Sequence, residues 1–129
     1  MQRLRTRTQF KAVLAGELVS TFGHFALHRL DLDRPNADES RQFASHRIWV
    51  GAMVPKRWAK RAVTRNAIKR QMYLTGLALA RDCLGAAFLI RLRREFSRKD
   101  FVSASSEALK QAVRTELQAL LKGYLARPA

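Results

Sequence analysis

In Arg47-Ile48-Trp49-Val50-Gly51-Ala52-Met53-Val54-Pro55-Lys56-Arg57-Trp58-Ala59-Lys60-Arg61-Ala62-Val63-Thr64-Arg65-Asn66-Ala67-Ile68-Lys69-Arg70 a β-strand runs into a cationic helix. The strand is Arg47 to Val54, whose Ile48, Trp49, Val50 and Val54 suit a pleated, half-buried surface. Pro55 has no amide hydrogen to give a ladder and ends it. The spacing then predicts a helix from about Trp58 to about Leu74, weakened at Gly76 and extended by Leu77 to Ala80. The whole stretch holds eight Lys or Arg side chains and no Asp or Glu. Solvated helices usually mix signs, because opposite charges four residues apart stabilise them. A helix of one sign repels itself unless a polyanion neutralises it, and the commonest cytoplasmic polyanion is nucleic acid.

On the helical wheel, Ala62, Asn66, Lys69 and Tyr73 form one stripe, flanked by Arg65. Ala59, Val63, Ala67 and Leu74 lie on an adjoining arc and are expected to pack on a sheet. Most of the remaining circumference is cationic. Arg makes planar, bidentate contacts to phosphate, whereas Lys supplies a point charge. Asn66 stands out among these cations. Its amide accepts as well as donates, so it suits a ribose hydroxyl or a hydrated metal ion, or is simply a solvated surface amide.

Upstream, Thr8 to Ala15 reads as a short helix with Phe10, Val13 and Leu14 on one face and Gly16 as its stop. Phe25 to Leu32 alternates like a strand. Asp33 to Ser45, with Pro35, Asn36, Asp38 and Ser40, is a polar loop, and it predicts a hairpin between the strands on either side. Downstream, Gly85 opens a third strand, Ala86 to Arg93, and Phe96 to Asp100 is a basic turn. Ser103, Ser105 and Ser106 offer helix caps, with Glu107 facing a positive helix end. Leu109, Ala112, Val113, Leu117, Leu120, Leu121 and Tyr124 then form an amphipathic, core-facing stripe. The order is α-β-β-α-β-α within one α/β (α+β) domain spanning residues 1–129.

Composition narrows the function. The chain of 129 residues is 47% hydrophobic, and its 25 Lys and Arg against 10 Asp and Glu give a net charge of +15. The apolar share supports a packed core, and the charge favours a nucleic-acid partner. The charge is unevenly placed: residues 17–46 hold five of the acids against three cations, which implies distinct faces. The lone Cys83 forms no intrachain disulfide and reads as a small buried residue. The basic start, Met1 to Arg7, is not followed by the apolar run of a signal peptide, and no stretch reaches the length of a membrane span. A cytoplasmic location with no membrane partner is expected. Metal-dependent hydrolysis needs clustered carboxylates or histidines, and the scattered acids and His24, His28 and His46 lack ligand-like spacing. The chain is therefore not expected to cut nucleic acid by itself. Single-strand binding also needs stacking surfaces beside positive charge, for which Phe10 and His28 are candidates, each equally readable as core or an incidental strand residue. Trp49 and Phe88 read as core.

These residues resemble the protein subunit of bacterial ribonuclease P. Val54-Pro55-Lys56-Arg57 stands where that family has V-x-K-K, and Ala62-Val63-Thr64-Arg65-Asn66-Ala67-Ile68-Lys69-Arg70 resembles its R-N-R-x-x-K-R helix. Arg7 to Leu14 is similar to its first helix, Phe25 to His28 to its first strand, and Gly85 to Arg93 to its third. The resemblance implies a fold like a domain of ribosomal protein S5, with a left-handed βαβ crossover. It implies a partner, ribonuclease P RNA, that removes 5′ leaders from precursor tRNA with Mg2+ bound mainly by the RNA, and no stable protein partner. It assigns Arg65, Asn66, Lys69 and Arg70 to RNA binding; Lys60 and Arg61, one turn earlier, are expected to add to that helix, and the amide of Asn66 suits an indirect metal contact. It assigns Phe10, Leu14, His28, Lys56 and Arg57 to a cleft for the leader. Ala67 and Tyr73 stand where the family usually has arginine, so two cations are absent from the helix. A general RNA-binding or ribosome-associated protein without a processing role shares the same charge and is the competing reading.

Overall fold

The computed structural model describes residues 1–32, 43, 48–82, 85–96 and 107–126. Its elements are β1 (Gln2–Arg3), α1 (Arg7–Leu14), β2 (Glu17–Phe22), β3 (Phe25–Asp31), β4 (Trp49–Met53), α2 (Ala62–Asp82), β5 (Ala86–Leu92) and α3 (Glu107–Leu125). Cys83, His46, Arg47, most of the polar loop and the serines offered as caps lie outside the described residues.

The sheet has the order β1-β4-β5-β3-β2. β4 and β5 are parallel neighbours joined through α2, and β1 runs parallel to β4 on its other side. β3 is antiparallel to both β5 and β2. The hairpin expected between Phe25–Leu32 and Arg47–Val54 therefore does not form, because β5 lies between those strands. β3 instead turns back on β2 through Gly23-His24, where only Gly23 has positive φ (52°), the pattern of a tight II′ turn. Closing that short loop costs less chain entropy than closing the long polar connection. Two strands thus join the expected three. β1 is only two residues long. In β2 the register slips between Leu18 and Ser20, so that Val19 is buried while Leu18 is exposed, which breaks the alternation that marks a strand.

Both faces of the sheet are covered. Phe25, Leu27, Val50, Phe88, Ile90 and Leu92 join Ile68, Met72 and Leu79 of α2 and Leu109, Val113, Leu117 and Leu120 of α3 in the larger core. Ala87 and Leu89 pack with Leu4, Ala12, Val13 and Phe43 beneath α1. Each fully buried Phe, Leu or Ile contributes about 1.5–3 kcal/mol. The stripe expected on α3 packs as read: four of its members are buried, and Leu121 and Tyr124 lean on the same core. α1 begins with a capping box. Thr6 Oγ1 accepts from Gln9 N (3.1 Å), and Gln9 Oε1 accepts from Thr6 N (3.1 Å) and Arg5 N (2.8 Å).

Candidate nucleic-acid interface

The basic helix starts later and runs further than its sequence indicated. Trp58 N and Ala59 N both donate to Pro55 O, so the residues after the proline make a turn. The bond from Arg65 N to Arg61 O (3.0 Å) then opens α2. Lys60 and Arg61 accordingly stand just ahead of the helix. It continues through Gly76. A Cβ there would lie 2.8 Å from Val50 Cγ1, so glycine is what lets α2 approach β4 closely.

The buried side of α2 is Ile68, Gln71, Met72 and Leu79. This corrects the arc expected to pack: Ala59 is buried, but Val63 and Leu74 are 58% and 53% exposed and Ala67 is half-buried. Arg61, Asn66 and Arg70 are exposed, and Arg65 and Lys69 are half-buried. Arg65 Nη1 donates to Ala59 O (3.0 Å) and Lys60 O (2.8 Å), so part of this guanidinium ties down the approach to the helix. Among the described residues, no ion pair joins Lys60, Arg61, Arg65, Lys69 or Arg70 to a carboxylate.

The opposite face of the sheet carries the residues of the expected cleft. Paired residues on neighbouring strands point the same way. One row is Gly51, Leu89, His28 and Leu18, and the next is Met53, Arg91, Ala26 and Thr21. Phe10 of α1 is half-buried over the first row, where a Cβ on Gly51 would come within 3.0 Å of Phe10 Cε1. Leu14 (38% exposed) and Leu18 (52%) leave apolar surface open. His28 is only 7% exposed, so its ring forms the floor and offers no open face. Its Nε2 accepts from Arg91 Nε (3.3 Å), which places the proton on Nδ1, a buried atom with no partner. Burial first, and the Arg91 charge second, hold its pKa below the ordinary 6.5. Lys56 and Arg57 are exposed in the turn after β4, and Arg57 lies 5.0 Å from the Trp58 ring centroid.

Two cations escaped the sequence reading. Arg91 lies in an otherwise apolar strand, and that single charge in Ala86–Leu92 was the available signal. Arg3 on β1 places its guanidinium 4.0 Å over the Tyr73 ring, so a cation stands at the helix position that lacks one. No local pattern links residues so far apart. Among the described residues no group of three or more His, Cys, Asp or Glu could hold a metal ion. Among the described residues, the one carboxylate that lines the same cavity as Asn66 and Arg70 is Glu107.

A family model described as Ribonuclease P matches residues 1–122. The ribonuclease P protein component of Ralstonia pickettii (strain 12J) is 34% identical over 122 residues, covering 93% of this chain and 76% of that protein. The component from Paraburkholderia xenovorans (strain LB400) is 29% identical over 119 residues, covering 92% and 77%. In fold, the chain is similar to the Staphylococcus aureus RNase P protein, with a TM-score of 0.63 at 17% identity over 95% of this chain and 94% of that one.

Proposed function

The chain belongs to the ribonuclease P protein family, whose members are the protein part of a tRNA-processing endoribonuclease, and on that premise we propose how it divides its two faces. The α2 face binds ribonuclease P RNA through Lys60, Arg61, Arg65, Lys69 and Arg70. The α1 face takes the single-stranded 5′ leader of precursor tRNA over Phe10, Leu14 and the floor formed by His28 and Arg91. Hydrolysis is left to the RNA and its Mg2+, with Asn66 reaching at most a water of an RNA-bound ion. The assembly works in the cytoplasm; no helix among the described residues is long and apolar enough to cross a membrane.

One observation carries this reading. Met53 ends β4 on the α1 side, whereas Val54 and Ala59 are buried on the α2 side. Between and after them, Lys56, Arg57, Lys60 and Arg61 are all exposed. A band of positive charge therefore rounds the end of the sheet from cleft to helix, along which one polyanion can be held in two places.

The test is reconstitution with a bacterial ribonuclease P RNA at low Mg2+. Phe10→Ala is expected to weaken affinity for precursor tRNA while leaving mature tRNA unchanged, since only the precursor carries a leader. Equal loss for both would remove the leader from the cleft. Displacement of the RNA by a large excess of unrelated structured RNA would favour the general RNA-binding reading.

A further inference from the structure

Away from the leader cleft, α2 and α3 diverge around a cavity of about 490 Å³. Ala67 contributes little bulk, and the walls carry Asn66, Arg70 and Gln71 from α2 and Lys110 and Arg114 from α3. That volume lies within the range of ligand-binding clefts. Among the described residues of the lining the cations outnumber the acids: the one carboxylate, Glu107, is 91% exposed and meets Lys110 Nζ at 3.4 Å. A solvated pair of that kind is weakly held and leaves the lysine free to exchange partners. Arg114 is exposed, and its Nε stands 3.4 Å from Gln71 Oε1, a long contact that sets the guanidinium against the α2 wall and leaves its other N–H groups open.

The chemistry of the lining selects the ligand. None of the described residues around the cavity is aromatic, so none of them offers a base the ring platform usual in single-strand binding. Guanidinium and ammonium groups recognise phosphate, and an amide that both donates and accepts matches a ribose 2′-hydroxyl. We propose that the α2–α3 cleft holds the sugar-phosphate backbone of a folded RNA, with Arg70, Lys110 and Arg114 on phosphates and Asn66 on a ribose. This rests on the reading of α2 as an RNA-binding helix and extends the contact surface onto α3. Recognition there is of backbone and shape, without base specificity.

The test uses the full chain with a bacterial ribonuclease P RNA, its dissociation constant measured across a salt series. The double variant Lys110→Gln with Arg114→Gln is expected to reduce the slope of log K against log salt by about 1.4–1.8, two phosphate contacts' worth. Glu107→Gln removes the opposing charge and is expected to tighten binding, a sign that loss of packing would not produce. Both sets should leave the preference for precursor over mature tRNA unchanged. An unaltered slope in the α3 double variant, with Lys69→Gln still lowering it, would overturn the cleft and leave the α2 reading intact. An unaltered slope in both would overturn the two together.

Discussion

Replacing Lys69 and Arg70 together by glutamine tests the charge of α2 most directly. Both lie on the helix and neither is paired with a carboxylate among the described residues. Arg65 is a poorer choice, because its Nη1 bonds to Ala59 and Lys60 carbonyls mean that its loss also loosens the segment leading into α2. Each phosphate neutralised by a protein cation contributes about 0.7–0.9 to the slope of log K against log salt, so the pair accounts for about 1.4–1.8. Between 50 and 200 mM salt, a fourfold change, the native chain should therefore lose about tenfold more affinity than the double variant. The assay is titration of labelled bacterial ribonuclease P RNA at several salt concentrations, with a thermal melt as the folding control. Away from the core, the substitutions should shift stability by no more than about 0.5 kcal/mol. Parallel salt dependences for the two proteins would refute the assignment, even if the variant bound more weakly, because weakening without a slope change is not loss of phosphate contacts.

Further outcomes follow from other sites. His28 has a lowered pKa in the folded chain, so the unfolded chain binds the extra proton first as pH falls below 6.5. Stability relative to His28→Asn should be flat above that value and fall below it, as read by urea unfolding across the range; a constant difference would contradict the burial of this imidazole. Gly76→Ala gains about 1 kcal/mol of helix propensity but overpacks against the fully buried Val50 at a cost of about 1–3 kcal/mol. A net loss of about 1 kcal/mol is expected, and a stabilised variant would mean that α2 can retreat from β4. Glu116 accepts from the His24 amide (2.6 Å) and from His24 Nδ1 (2.9 Å), so Glu116→Ala should cost about 1–3 kcal/mol of unfolding free energy, read by denaturant titration, with Glu116→Gln recovering part of it. Arg3→Ala should lower the salt slope for RNA by about one contact, and no change would show that the guanidinium over Tyr73 faces no phosphate.

What the sequence conveyed, and what it did not, follows from the range of each interaction. α3 was legible because one apolar stripe, Leu109, Val113, Leu117 and Leu120, meets one core; of the face expected on α1, Val13 is buried, Phe10 is half-buried and Leu14 is exposed. α2 was legible as a helix but not in its orientation. It carries apolar residues on two sides, Ile68, Met72 and Leu79 on one and Val63, Leu74 and Leu77 on the other. Periodicity cannot choose between them. The choice is made by contact with β4, through the glycine that periodicity counts only as a helix breaker. β2 was illegible because its bulge buries Val19 out of phase, and the expected hairpin failed because a strand late in the sequence inserts between two earlier ones.

The site divides along the same line. Lys60 to Arg70 could be named from sequence because they are neighbours on one segment, whereas Arg3 and Arg91 could not. Ala67 and Tyr73 show why this matters for a protein that meets a polyanion. Read along the chain, each is a cation missing from a helix. Read in space, the Arg3 guanidinium stands over the Tyr73 ring, and the cavity beside Ala67 is walled by Lys110 and Arg114. An RNA backbone responds to where positive charge lies, whichever strand or helix supplies it. A residue-by-residue match to the R-N-R-x-x-K-R pattern therefore undercounts the positive charge around α2, because Arg3 of β1 stands at Tyr73 and Lys110 and Arg114 of α3 line the cavity with Ala67.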